Sequence, residues 1–179
     1  TAQRKLEIAL RAVGLLTREY GIDATDLIFD PLVFPCAPGD AQYVGSAIQT
    51  IEGVGLIKRA LPLCKTVLGI SNVSFGLPPA GREVLNAVFL HHCVEAGLDL
   101  AIVNAEKLER YATIPEQERT LADDLLFNRG ADPVAAFAEH FRGREAAPKP
   151  DRKAMPLAER LALSVVSGSK EGLLEDLGE

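Results

Sequence analysis

Over residues 1–20 the apolar positions Leu6, Ala9, Leu10, Val13, Leu16 and Tyr20 fall at three- and four-residue steps, and Gly21 ends the run. That period predicts an amphipathic helix. After Ile22-Asp23-Ala24-Thr25-Asp26, the continuous apolar run Leu27-Ile28-Phe29 has the form of a strand buried on both faces. It stops at Asp30-Pro31, and three prolines between Pro31 and Gly39 keep the next loop non-helical. A helical period resumes from Ala41 to Leu61 through Ile48, Ile51, Leu56 and Ile57, tolerating Gly53 and Gly55 at some cost. Thr66 to Ile70 predicts a second strand. Glu83 to Ala96 predicts a helix with Val84, Val88, Leu90 and Val94 as its buried stripe, closed by Gly97 in the C′ position. Leu98 to Val103 predicts a third strand, with Asn104 at its end.

The alternation of helix and strand, with crossovers long enough to hold helices, implies an α/β fold with parallel strands. Each strand ends in a polar residue: Asp30, then Ser71-Asn72, then Asn104. One strand-end Asp or Asn is usually a turn former. Three in register on parallel strands lie on the C-terminal face, where barrels carry their binding and catalytic groups. Closure takes about eight strands, so the three are expected to be the C-terminal part of a (β/α)8 barrel over residues 1–141, with the remaining strands upstream in a longer polypeptide. Within that span Leu121 to Leu126 predicts a helix, and Asp132-Pro133 starts another carrying Val134, Phe137 and Phe141. Residues 142–156, rich in charge, Ala and Pro, read as a linker. Residues 157–179 return to a helical period through Leu161, Val165, Leu173 and Leu177, interrupted at Ser167-Gly168-Ser169, as the first helices of a further, all-α domain.

The densest chemistry lies between the second strand and the third helix, in Gly69-Ile70-Ser71-Asn72-Val73-Ser74-Phe75-Gly76-Leu77-Pro78-Pro79-Ala80-Gly81-Arg82. Ser71, Asn72, Ser74 and Arg82 offer polar handles around Phe75. Pro78 and Pro79 weigh against a phosphate cradle built on Gly76 and Gly81, because they remove backbone donors. His91-His92-Cys93 sits mid-helix, where neighbours diverge by about 100° and cannot converge on one ion. Asp123-Asp124 reads as a solvated helix face.

The chain has 179 residues, 47% hydrophobic and 25% charged, ordinary for a globular protein of about one domain. A net charge of −6 argues against nucleic acid as the main partner, which would require clustered Lys and Arg. No apolar run approaches the roughly 20 residues of a membrane span, and no signal segment opens the chain; the expected location is cytoplasmic. Cys36, Cys64 and Cys93 suggest neither a disulfide framework nor a zinc site.

Four stretches, Leu27-Ile28-Phe29-Asp30-Pro31, Gly69-Ile70-Ser71-Asn72-Val73-Ser74-Phe75-Gly76-Leu77-Pro78, Asn86 to Leu90 with Ala96 to Asp99, and Ile102-Val103-Asn104-Ala105, resemble the pterin-binding domain of the cobalamin-dependent methionine synthases. The tail from Leu157 is similar to the start of the helical cap over the cobalamin domain of the same enzymes. That order favours them over the related methyltetrahydrofolate:corrinoid protein methyltransferases. The resemblance implies a methyltransferase that binds 5-methyltetrahydrofolate and passes its N5 methyl to cob(I)alamin held by a neighbouring domain, in methionine synthesis from homocysteine. It implies no metal in this segment, zinc belonging to a separate homocysteine domain. It makes Asp30 an acceptor for the pterin ring and Asn72 the catalytic contact near N5. Ser71, Phe75, Arg82 and Asn104 are expected to line the substrate site. Family contacts from the early strands match nothing in this chain, which leaves the alternative of a structural half-barrel inactive in isolation.

Overall fold

Thr1 caps the first helix, its Oγ1 accepting the Arg4 N–H at 3.3 Å, and α1 runs Ala2–Glu19. The computed structural model describes residues 1–37, 43–144, 155–167 and 172–178, with the side chains of 165–167 left aside. The strands are β1 (Ile28–Phe29), β2 (Lys65–Gly69) and β3 (Leu100–Ile102), separated by α2 (Ser46–Ala60) and α3 (Pro79–Glu95). They form a parallel sheet in the order β1-β2-β3, as the alternation of elements predicts.

Register decides which side chains face the helices. Phe29 pairs with Thr66, and Leu68 with Ala101, while Ile28 pairs with Lys65, Val67 with Leu100, and Gly69 with Ile102. Partners across a ladder share a face, and successive residues alternate. Thr66 and Leu68 are fully buried under the helices. On the opposite face Ile28 is 55% exposed, Leu100 46% and Ile102 67%. The expectation that β1 is buried on both faces is therefore not met: among the described residues, one face of the sheet stays open.

Helix α2 starts at Ser46, behind Gly45 at φ 74°, later than the Ala41 expected; Ala41 itself lies outside the described residues. Its Gly53 has a packing reason. A Cβ there would sit 2.8 Å from Lys5 Cδ, so the glycine lets α1 lie close against α2. Helix α3 starts earlier than expected, with Pro79 in its first turn. Its buried stripe is also displaced. Val84 and Val88 are buried as expected, but Val94 is exposed, and Leu85, Phe89 and Cys93 fill the core. Sheet and helices cover α3 from two sides, so its apolar arc is wider than one stripe. Gly97, at φ 100°, closes the helix, with the Leu98 N–H donating to Cys93 O at 2.9 Å.

Helices α4 (Glu116–Leu126) and α5 (Pro133–Phe141) pack beyond α3. Asp132 caps α5 by accepting the Ala135 N–H at 2.9 Å, as its sequence predicts. Helices α6 (Leu157–Ser167) and α7 (Leu173–Gly178) are joined by Arg160 and Asp176 at 2.8 Å, and Leu177 of the expected apolar period is exposed. Most of the expected linker, residues 145–154, and the expected break at Gly168-Ser169 lie outside the described residues. No described helix is long and apolar enough to cross a membrane.

At the N-terminal ends of the strands, Asp99 accepts from Lys58 Nζ at 2.8 Å, from the Thr66 N–H at 2.8 Å and from Thr66 Oγ1 at 3.1 Å. This ties α2, β2 and the start of β3 together. The opposite, C-terminal ends are left to the polar loops.

Candidate functional site

Gly69 ends β2, and the chain turns at once into a 3₁₀ helix, Ile70–Ser74. Ile70 and Val73 are buried and anchor the turn, which leaves Ser71 and Asn72 exposed between them. The position of Gly69 matters here. A Cβ at Gly69 would lie on the open face of the sheet and 3.3 Å from Asn72 Nδ2. The Asn72 amide thus folds back over the end of β2 on the open face. No hydrogen bond engages it among the described residues. Phe75 follows at 66% exposure.

Arg82 holds the turn in shape. Its Nε donates to Ser74 Oγ at 3.2 Å and its Nη2 to Ser71 O at 3.5 Å, while Ser74 Oγ donates to Ser71 O at 3.1 Å. Ser74 is fully buried, so this is a structural bracket. The β1–α2 loop rests on the same turn, the Cys36 N–H donating to Val73 O at 2.9 Å. Asp30, at the head of that loop, accepts the Leu32 N–H on Oδ1 at 2.8 Å, and Leu32 takes a positive φ of 65°. Lys5 Nζ donates to the carbonyls of Pro31 and Leu32. Burial pushes the Lys5 pKa down, and the nearby Asp30 charge partly restores it. Asn104 likewise forms a turn, its Oδ1 accepting the Glu106 N–H at 3.1 Å. The turn-forming role open to any strand-end Asp or Asn is thus realised at Asp30 and at Asn104, each through one oxygen.

The expected site residues divide into two adjacent groups. Ser71, Arg82 and Asn104 line a cavity of about 430 Å³ between the end of β2, α3 and the loop after β3. Asp30, Asn72 and Phe75 do not line it; Asn72 lies over the open face. The cavity also takes in Glu83, Asn86 and Lys107, which the sequence reading did not single out. Their signal was available: Glu83 and Asn86 lie on one helix face with Pro79 and Arg82, at i, i+3, i+4 and i+7. Behind them, burial pushes the Glu109 carboxyl above its ordinary value, helped by the charges of Glu83 and Glu118.

Other candidates resolve into packing. His91 stacks on Tyr111 with ring centroids 3.7 Å apart, His92 Nε2 meets Asp123 Oδ1 at 2.7 Å, and Cys93 is buried in the core. The three diverge, and among the described residues no group of three His, Cys, Asp or Glu could hold a metal ion. Asp123 is consequently not a solvated residue as expected: it docks α4 on α3. Gly81 offers no phosphate cradle, because Phe137 and Phe141 cover it, and a Cβ there would sit 2.8 Å from Phe137 Cε1. Burial pushes the Cys36 and Cys93 thiols up to about 12, which leaves them unreactive.

Residues 1–104 match the protein family described as pterin binding enzyme. Over its whole length the chain is 44% identical to the methionine synthase of Mycobacterium tuberculosis (strain ATCC 25618 / H37Rv) and 40% identical to that of Mycobacterium leprae (strain TN). It spans 16% of the length of each of these curated relatives.

Proposed function

This chain belongs to the pterin binding enzyme family, and on that premise we propose that it is the C-terminal half of a (β/α)8 barrel that binds 5-methyltetrahydrofolate and gives up the N5 methyl to cob(I)alamin in methionine synthesis. In this reading residues 1–141 form the half-barrel, 142–156 the linker and 157–179 the start of the cap over a cobalamin domain of the same cytoplasmic polypeptide. The upstream half of the barrel completes the open face, and the zinc site for homocysteine belongs to another domain.

The observation that carries the reading is the Asn72 amide, unengaged among the described residues and laid over the open end of β2 where Gly69 leaves room for it. A methyl on a tertiary amine is a poor electrophile until the amine becomes a good leaving group. When the N5–methyl bond breaks, its electron pair stays on N5 and must be met by a proton or a strong hydrogen bond. An amide serves there because it can donate or accept without titrating. Asp30 retains Oδ2 for an N–H edge of the ring, since Oδ1 is committed to Leu32. The cost of burying unpaired polar ring edges makes such partners necessary. Cobalamin, bound in its neighbouring domain, supplies the nucleophile that takes the methyl. Phe75, three residues after Asn72 in the same loop, is exposed and available to such a domain.

The test is methyl transfer from methyltetrahydrofolate to reduced cobalamin, followed by cobalt absorbance, in the full-length polypeptide. Asn72→Ala should lower the rate by about 10²- to 10³-fold, the scale for losing one positioned transition-state partner. A wild-type protein that folds with its upstream strands and transfers no methyl would exclude the mechanism. Transfer that fails only when those strands are missing would favour the second reading, a half-barrel inactive alone, which the exposure of Ile28, Leu100 and Ile102 supports.

A further inference from the structure

Lys5 is a half-buried cation that the proposed chemistry at N5 does not use. It forms no ion pair among the described residues. Its stem runs from α1 across α2, where Gly53 leaves it room, and its ammonium lies 5.7 Å from the centre of the Phe34 ring. Nζ then donates to two consecutive carbonyls, Pro31 O and Leu32 O, the latter at 3.1 Å. Leu32 O accepts a second hydrogen bond at 2.9 Å, from Oγ1 of the fully buried Thr50 on α2.

These bonds hold the peptide planes on either side of Leu32. Its φ of 65° is a conformation that bulky side chains rarely adopt. The Leu32 side chain is exposed, so the grip on the backbone carbonyls accounts for the conformation and packing does not. The Pro31 C=O and the Leu32 N–H belong to one planar peptide and point in opposite directions. Lys5 grips that plane at the oxygen, and Asp30 Oδ1 takes its N–H at 2.8 Å. Strained backbone that its surroundings over-determine, next to a ligand-binding group, points to preorganisation. Resting on the methyltetrahydrofolate reading, we propose that Lys5 is a positioning residue for pterin binding: with Thr50 it locks Leu32 in the left-handed conformation, and so aims Asp30 Oδ2 at the ring. Without the lock, Leu32 relaxes to an ordinary φ and the Asp30 carboxylate loses its fixed direction. Affinity then falls with the fraction of molecules that still hold the turn.

The experiment measures the dissociation constant of 5-methyltetrahydrofolate by calorimetry in the full-length polypeptide. Lys5→Met keeps an apolar stem and removes the donors. It should weaken binding about tenfold, as when about one molecule in ten keeps the turn. Two further variants separate this effect from a general fault in the fold. In an Asp30→Ala background the same substitution should cost less than about twofold, because the group it aims is gone. Leu32→Gly added to Lys5→Met should bring binding back to within about threefold of wild type, because glycine takes positive φ about as readily as negative. A loss that persists in the Asp30→Ala background, or that Leu32→Gly leaves unrepaired, overturns the clamp while the folate reading stands. A Lys5→Met protein that binds as tightly as wild type does the same. Asp30→Ala protein that binds like wild type overturns the role of Asp30 and the clamp together. Wild-type protein that takes up no methyltetrahydrofolate overturns the folate reading as well.

Discussion

Asp99 shows how much one side chain can bind together. Burial alone would raise its pKa, but the hydrogen bonds from Lys58 and Thr66 and the Lys58 charge outweigh that, and the carboxyl titrates below its ordinary value of 3.8. A depressed folded pKa means that the stabilisation is fully present above pH 3.8 and is lost as the pH falls further, through the lower folded value. Asp99→Asn should lower the melting temperature at pH 7 by about 4–8 °C, from a loss of about 2 kcal/mol at a charged hydrogen-bond hub. It should also flatten the acid limb of a melting-temperature profile below pH 3.8. An unchanged melting temperature at pH 7 would remove Asp99 from the account of how the strand bases are joined. The sequence placed Asp99 at the start of the third strand. Nothing in it marked Lys58, 41 residues away, as its partner.

Among elements, the contact between α3 and α5 is the tightest test of packing. Phe137 and Phe141 lie against Gly81, and Phe141 Cδ2 would be 3.0 Å from an added Cβ. Alanine is the better helix former by about 1 kcal/mol, so propensity alone predicts that Gly81→Ala stabilises. Overpacking against two rings costs about 1–3 kcal/mol, and both rings are buried against α3. We expect net destabilisation of about 1 kcal/mol, seen as a melting temperature about 2–4 °C lower. A rise would mean that α5 yields easily. Because the same first turn of α3 carries Arg82, this packing also positions the bracket over Ser71 and Ser74.

For the molecule as a whole, the decisive feature is the open face of the sheet, with Ile28, Leu100 and Ile102 in view. Such contiguous apolar exposure binds apolar dyes. The chain produced by itself should therefore enhance anilinonaphthalene sulfonate fluorescence, and the polypeptide carrying the upstream strands should do so much less per mole. Equal enhancement in both would show that no upstream element covers this face. Periodicity and turn chemistry were enough to identify the helices, the three parallel strands, the Asp132 cap, the Gly97 stop and the polar strand ends, because those features depend on neighbours a few residues away. The Ser-Asn-Val-Ser-Phe-Gly run likewise carried the family in its local order. What local order could not contain was decided by tertiary contact. The pairing of Asp123 with His92 and the meeting of Asn86 and Lys107 in one cavity join residues that lie far apart in the chain. Each depends on which side chains the folded chain brings within a few ångströms, and hydrophobic period carries no information about that.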